Sequence, residues 1–169
     1  MREPAVGGLG SRVQGLGYEG LLVWQKSHAA ALSAFRLTEG LPRGQEWLRS
    51  QCTRAAVSVP ANIAEGYSRG SLKEYLQFLS IARGSLAETE YHLLFMRDAG
   101  LLEREACDGL RADLGECARL LLGLIRSLRA KAARGPGEPS RIGDDVAEYT
   151  ANEDLDPRPQ TQDPPSLDP

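Results

Sequence analysis

Few residues in this chain have the chemistry of a catalyst or a metal ligand. The chain contains two histidines, His28 and His92. A carboxylate-bridged metal site in a helical protein needs Glu-x-x-His pairs, but Gln25 stands three residues before His28 and Thr89 three before His92. Glu88 and His92, four residues apart, share a helix face, yet two ligands do not make a site. The sequence therefore predicts that the protein is not an enzyme and binds no metal, cofactor or small-molecule substrate. For His28 it predicts a partly buried ring that makes a hydrogen bond.

The cysteines indicate a reducing compartment. Cys52, Cys107 and Cys117 are an odd number without a C-x-x-C pair, which argues against a disulfide framework. All three fall on apolar stripes, where a thiol behaves as a small hydrophobic side chain. No apolar run reaches the roughly 18 residues of a membrane span, and the N-terminus lacks the apolar stretch of a signal peptide. We therefore expect a cytoplasmic protein with no membrane partner.

The densest group of polar residues surrounds a proline, in residues 54–66 and 69–74. Pro60 lies inside a helical pattern, where it removes a backbone donor and predicts a kink near residues 56–60. The freed carbonyls need donors, and arginines offer planar forks to nearby carboxylates. We predict a structural hydrogen-bond network at this corner between the second and third helices, with a pocket for an anion or an RNA phosphate as the alternative. Its members are Arg54, Asn62, Glu65, Arg69, Ser71, Glu74 and Arg83.

Hydrophobic periodicity places these residues on four amphipathic helices. The first helix is expected from Leu22 to Glu39, the second from Gln45 to Glu65 and the fourth from Glu103 to Ala132. The third is expected to begin with a capping box at Ser71–Glu74 and to end at Gly100. Gly66 is expected to end the second helix in the left-handed conformation. Because the connections are short, the predicted fold is all-α: an antiparallel up-down four-helix bundle with a kinked second helix.

The apolar stripes predict which side chains form the core. The first three stripes are Leu21, Trp24, His28, Ala31, Phe35 and Thr38; then Leu48, Cys52, Ala55, Val59 and Ile63; then Tyr75, Leu79, Ala82, Leu86, Thr89, Leu93 and Met96. The fourth is Leu110, Leu114, Cys117, Leu121, Leu124 and Leu128. The third and fourth helices carry a second apolar side, which predicts contact with another subunit. Small residues such as Gly84 and Ser85 should allow close helix approach, so Gly84→Leu is expected to disrupt folding or assembly.

The charge is divided between a basic body and an acidic tail. The net charge is −3, but residues 135–169 hold nine acidic side chains and two arginines. We predict a flexible leader (1–20), the bundle (21–133), and an acidic, proline-rich, disordered tail (134–169) that can compete with nucleic acid for the body. Basic residues near a helix C-terminus also complement the helix dipole. The candidate nucleic-acid contacts are Arg36, Arg43, Arg49, Arg119, Arg126, Arg129 and Lys131.

Three segments together resemble a known family. Residues 23–26 (VWQK), 54–66 (RAAVSVPANIAEG) and 78–88 (FLSIARGSLAE) are similar to the four-helix bundle protein family, also named after proteins encoded in intervening sequences of bacterial 23S rRNA genes. The resemblance covers roughly residues 20–130. It implies a cytoplasmic bacterial protein without enzymatic activity, folded as an antiparallel bundle and assembled into a homopentamer.

The functional prediction is therefore a non-enzymatic, homo-oligomeric scaffold or accessory protein. A related branch of the family implies the alternative, an accessory protein of a diversity-generating retroelement that binds RNA or DNA and a reverse transcriptase through a basic surface. The basic residues of this chain are fewer than that branch would lead us to expect.

Overall fold

The computed structural model describes residues 17–133 of the 169-residue chain. A 3₁₀ helix (Gly17–Gly20) precedes α1 (Leu22–Glu39), α2 (Glu46–Ser68), α3 (Leu72–Asp98) and α4 (Arg104–Ala133). Helices α1 and α3 each pack against both α2 and α4, and each short connection reverses the chain direction. The predicted all-α, antiparallel four-helix bundle is confirmed. Within the described residues, no helix is long and apolar enough to cross a membrane.

The core is built from the predicted stripes of α2, α3 and α4. Every side chain named for these three stripes is buried. Each fully buried Leu, Ile or Met side chain contributes roughly 1.5–3 kcal/mol relative to an exposed one. Apolar residues at alternating steps of three and four form one continuous stripe along a long, regular helix, and that stripe packs inwards along its whole length. This is why these predictions hold.

The stripe predicted for α1 is partly wrong. Leu21, Ala31 and Thr38 are buried, but Phe35 is 40% exposed and His28 is exposed. The helix is rotated so that small side chains face the core, namely Val23, Ser27, Ala30, Ala31 and Ala34. Small residues let α1 approach its neighbours closely, and the large apolar ones are consequently displaced to the outside.

The end of α2 also differs from the prediction. As predicted, Pro60 lies inside the helix, but the helix runs past Gly66 to Ser68, and the left-handed residue is Gly70, with φ +69°. Gly66 is buried where α2 meets α3. A Cβ at this position would lie 2.6 Å from Phe78 Cβ and 2.9 Å from Tyr75 Cδ2. Gly66 is therefore required for close helix packing, and it does not end the helix.

The two ends of α3 differ in how they are closed. Ser71 is the N-cap residue, but its side chain makes no capping hydrogen bond, so the predicted capping box is wrong. The C-terminal prediction holds, because Gly100 has φ +69°. The Leu101 N–H donates to the Met96 carbonyl at 2.8 Å, and the Gly100 N–H donates to the Arg97 carbonyl at 3.0 Å. This is the Schellman arrangement, in which a left-handed glycine satisfies the last carbonyls.

The last four residues of the predicted leader, Gly17–Gly20, pack against α1 and α2. The ring of Tyr18 lies 5.3 Å from that of Trp24 and 6.5 Å from that of Tyr67, measured between centroids. Residues 1–16 and the whole predicted tail, residues 134–169, lie outside the described residues.

Candidate functional site

At the corner between α2 and α3, the predicted polar residues form separate small contacts. Arg69 pairs with Glu65 one turn earlier, and its guanidinium lies 5.2 Å from the centroid of the Phe78 ring. Arg54 donates a hydrogen bond to Gln51. Each of these charged side chains is exposed to solvent, so the contacts are weak individually.

The remaining members of the predicted network are not brought together. Within residues 17–133, Glu74 and Arg83 make no side-chain hydrogen bond or ion pair, and Ser71 makes no capping bond. The corner therefore unites only Glu65 and Arg69 from the predicted set.

A second polar cluster joins the middle of α2 to α3. The side-chain amide of Asn62 donates to the Ser58 carbonyl at 2.7 Å and to the Ser58 hydroxyl at 2.9 Å. The Ser85 hydroxyl donates to the Ser58 hydroxyl at 3.0 Å. The predicted close approach is thus present at Ser85. It is absent at Gly84, which is exposed and where an added Cβ would meet no atom within 4 Å.

The exposure of Gly84 corrects one expectation. Because Gly84 faces away from the bundle, the packing of this chain gives no reason for Gly84→Leu to disrupt folding. Its expected effect on assembly stays a prediction.

An open groove of about 640 Å³ lies between α1 and α2. Its apolar side chains are Phe35 and Val57, which are 40% and 50% exposed. The Arg49 guanidinium lies 5.0 Å from the Phe35 ring centroid and 3.4 Å from Glu39. The Thr53 hydroxyl oxygen is buried beside them without a hydrogen-bond partner among the described residues. The sequence assigned Phe35 to the core, so it gave no signal for this groove.

The groups that could carry chemistry are held in structural roles. Burial raises the pKa of the Cys52 and Cys117 thiols to about 11, and it raises the pKa of Cys107 as well. His92 Nε2 lies 3.6 Å from Glu88 Oε1, which is too long for a hydrogen bond. The exposed His28 ring stacks on Trp24, with centroids 5.1 Å apart and planes inclined by 5°. Among residues 17–133, no cluster of three or more His, Cys, Asp or Glu residues is arranged to hold a metal ion.

Ion pairs connect the helices on the α4 side of the bundle. Lys26 of α1 lies 3.2 Å from Glu116, and Arg111 lies 3.1 Å from Glu90 of α3. Arg97 pairs with Asp98 at 2.9 Å and with Asp108 at 3.3 Å. The hydrogen bond to Asp98, and after it the one to Asp108, raises the pKa of the Arg97 guanidinium. Three charged side chains in the first half of α4, Asp108, Arg111 and Glu116, are thereby paired with neighbouring helices.

The second half of α4 carries an unneutralised basic surface. Arg119, Arg126 and Arg129, here called the arginine stripe, recur at steps of seven and three and so share one helix face about 15 Å long. All three are exposed, and none has an ion-pair partner within residues 17–133. Leu122, which is 38% exposed, lies between them, and its carbonyl accepts a 3.4 Å hydrogen bond from Arg126 Nε.

The predicted basic residues form two separate groups. Arg36, Arg43 and Arg49 lie where α1 ends and α2 begins, whereas Lys131 lies in the last turn of α4. Because the helices are antiparallel, α4 ends at the end of the bundle where α1 begins. Arg49 is also already paired with Glu39. The arginine stripe presents its three members on one helix face, whereas the other group is divided between α1, the following loop and α2, which favours the stripe as a contact surface.

Comparison with known proteins identifies a matching family and a solved structure of similar fold. The family model for the 23S rRNA-intervening sequence protein matches residues 19–123. A crystal structure of a protein of unknown function from the S23 ribosomal protein family, from Bacteroides thetaiotaomicron, is 28% identical with a TM-score of 0.58. The match covers 62% of this chain and 99% of that protein. Among curated proteins, none matches the chain significantly.

Proposed function

Because the chain belongs to the 23S rRNA-intervening sequence protein family, we propose that it is a non-enzymatic scaffold or accessory protein that assembles into a homo-oligomer, specifically a pentamer, in the bacterial cytoplasm. The observation that carries the proposal is the exposure of large apolar side chains on different sides of the bundle. Buried, unpaired thiols of raised pKa suit a reducing compartment and are poor nucleophiles.

One apolar face lies along α1 and α2. Leu32 and Phe35 are 42% and 40% exposed, and Val57 across the groove is 50% exposed. The position of Arg49 over the Phe35 ring places this side of α1 next to α2. Burying such side chains against another subunit stabilises the assembly by roughly 25 cal/mol for each Å² of apolar surface removed from water.

A second apolar face lies on α3, the helix diagonally opposite α1. Ile81, Tyr91 and Phe95 are 45%, 62% and 43% exposed, and their spacing places them on one side of the helix together with Gly84. A two-fold dimer uses one self-complementary patch, whereas a closed ring needs two different faces on each subunit. Two separate apolar faces therefore support a ring.

The test is the mass of the full chain in solution, measured by light scattering or native mass spectrometry. The wild-type protein should have five times the 18.3 kDa chain mass. Phe35→Glu and Tyr91→Glu, on the two opposed faces, should each lower the mass, because a buried unpaired carboxylate is costly. Ser33→Glu is the matched control, since it adds the same charge at an exposed position of α1. A monomeric wild-type protein would refute the proposal.

A second candidate function is the binding of nucleic acid, supported by the arginine stripe. Phosphate contacts by Lys and Arg release counterions, so the logarithm of affinity falls linearly with the logarithm of salt concentration. A ring repeats the stripe on every subunit, and multivalency then strengthens weak contacts. Structured RNA and duplex DNA should be titrated across a salt series. The full-length chain and a variant with three carboxylates neutralised beyond α4 (Asp144→Asn, Asp145→Asn and Glu148→Gln) should both be titrated, because an acidic tail can occupy the same arginines. If neither protein binds at low salt, the chain does not have this function, and the reverse-transcriptase alternative loses its basic surface.

A further inference from the structure

The arginine stripe carries charge that the described bundle does not neutralise. The helix dipole accounts for basic residues only in the last turn, but Arg119 lies fourteen residues before the end of α4 at Ala133. Packing does not account for the stripe either, because all three arginines are exposed. An acidic partner that also presents apolar groups would match the stripe, since exposed Leu122 lies within it.

The chain itself carries a segment of this chemistry shortly after α4. Residues 144–156, here called the acidic segment, contain six carboxylates and no Lys or Arg. The carboxylates are Asp144, Asp145, Glu148, Glu153, Asp154 and Asp156, with Val146, Tyr149 and Leu155 interspersed. A segment of formal charge −6 thus follows the stripe of three arginines along the same chain, and both contain apolar side chains. The two are complementary in charge and in apolar character.

The distance along the chain allows the two to meet. Only residues 134–143 separate the end of α4 from the acidic segment, and ten extended residues span up to about 33 Å. Arg119 lies about 21 Å from the end of the helix, at 1.5 Å per residue. The acidic segment can therefore reach the whole arginine stripe of its own chain. A tether this short gives an effective concentration on the order of millimolar, so weak contacts suffice.

We propose that the acidic segment docks on the arginine stripe of its own chain and shields it from other polyanions. Exposed ion pairs are individually weak and are screened by salt, so the docking is reversible and is lost at high ionic strength. The proposal goes beyond assembly and nucleic-acid binding and requires neither of them.

The test is the reactivity of individual arginines in the full-length protein towards phenylglyoxal, read by mass spectrometry at low salt. Arg83 is the internal reference, because it is exposed and has no ion pair within residues 17–133. The stripe arginines should react several-fold more slowly than Arg83. The difference should vanish at high salt and in the variant that neutralises three carboxylates of the segment, Asp144→Asn, Asp145→Asn and Glu148→Gln.

A matched control separates docking from the general field of an acidic tail. Glu138→Gln, Asp163→Asn and Asp168→Asn change the net charge by the same amount outside the acidic segment, and should leave the protection intact. Equal reactivity of the stripe and Arg83 in the wild-type protein would overturn the proposal, as would equal loss of protection in both triple variants. If the stripe arginines stay protected in both triple variants, a second copy of the chain covers them. If only nuclease treatment removes the protection, bound nucleic acid covers them. Either result also overturns docking.

Discussion

Replacing Gly66 by alanine should destabilise the bundle, although alanine is the better helix former. Gly66 lies within α2, two residues before the helix ends at Ser68. An added Cβ would stand 2.6 Å from Phe78 Cβ and 2.9 Å from a ring carbon of Tyr75. Phe78 Cβ is fixed to the α3 backbone, so a rotation of the side chain cannot relieve this contact. The two helices must move apart instead.

The size of the effect follows from two opposing contributions. Carbon atoms are in favourable contact at about 3.5–4.0 Å, so α2 and α3 would have to separate by roughly 1 Å at this point. Overpacking of this kind costs about 1–3 kcal/mol, whereas Gly→Ala in a helix interior gains up to about 1 kcal/mol. We expect a net loss of roughly 1–2 kcal/mol in the free energy of unfolding.

Gly115→Ala, at an exposed position of α4 that lies on neither apolar face, provides the matched comparison. An added Cβ there meets nothing within 4 Å, so only the gain in helix propensity, about 0.5–1 kcal/mol, should remain. Both variants should be unfolded in urea at one protein concentration, because the stability of an oligomer depends on concentration. The Gly66 variant should have a lower midpoint than the wild type, and the Gly115 variant a higher one. Midpoints that shift together in the same direction would refute the packing argument.

Three further predictions concern buried groups. Burial raises the pKa of the Cys52 and Cys117 thiols to about 11, above the value of about 8.5 in the unfolded chain. The folded state therefore favours the neutral thiols, so its stability is unaffected below pH 8.5 and falls as the pH rises from 8.5 towards 11. The folded protein should accordingly react with a thiol reagent at pH 8 much more slowly than the urea-unfolded chain, and equal rates would contradict the burial. Ser85→Ala removes the hydroxyl donor to Ser58 and should lower the free energy of unfolding by about 1 kcal/mol in urea titration. Thr53→Val should raise the free energy of unfolding by up to about 1 kcal/mol, because the substitution removes a buried hydroxyl with no partner in the described residues; a loss of stability would show that the hydroxyl is satisfied.

The sequence specified the fold most reliably where one stripe continued through a long helix. In α3, from Tyr75 to Met96, every buried position except Ser85 continues one stripe with steps of three or four residues, so one helix face packs inwards. In α1 the alanines and the large apolar residues form competing faces. The choice of Ala30 and Ala34 over Phe35 depends on how closely the neighbouring helices approach, and one helix considered alone does not contain that information.

The candidate site was less predictable, because its contacts join helices whose relative register the sequence does not state. Ser58 and Ser85 meet across α2 and α3, although 27 residues separate them. Glu65 and Arg69 were correctly grouped since their spacing of four makes them neighbours on any helix. Gly66 shows the same limit, because a glycine that ends a helix and a glycine that permits close packing look identical in a single sequence.

The surfaces proposed for assembly and for polyanions are physically separate. The apolar faces lie on α1, α2 and α3, whereas the arginine stripe lies on α4, beyond the ion pairs that join α4 to its neighbours. A substitution such as Phe35→Glu should therefore reduce the number of stripes held together without changing the charge of any one stripe. Nucleic-acid affinity would then fall through lost multivalency, and the salt dependence measured for a single stripe would remain. Arg126→Ala should do the reverse, with the oligomer mass unchanged and a shallower salt dependence, because one phosphate contact is removed from every subunit.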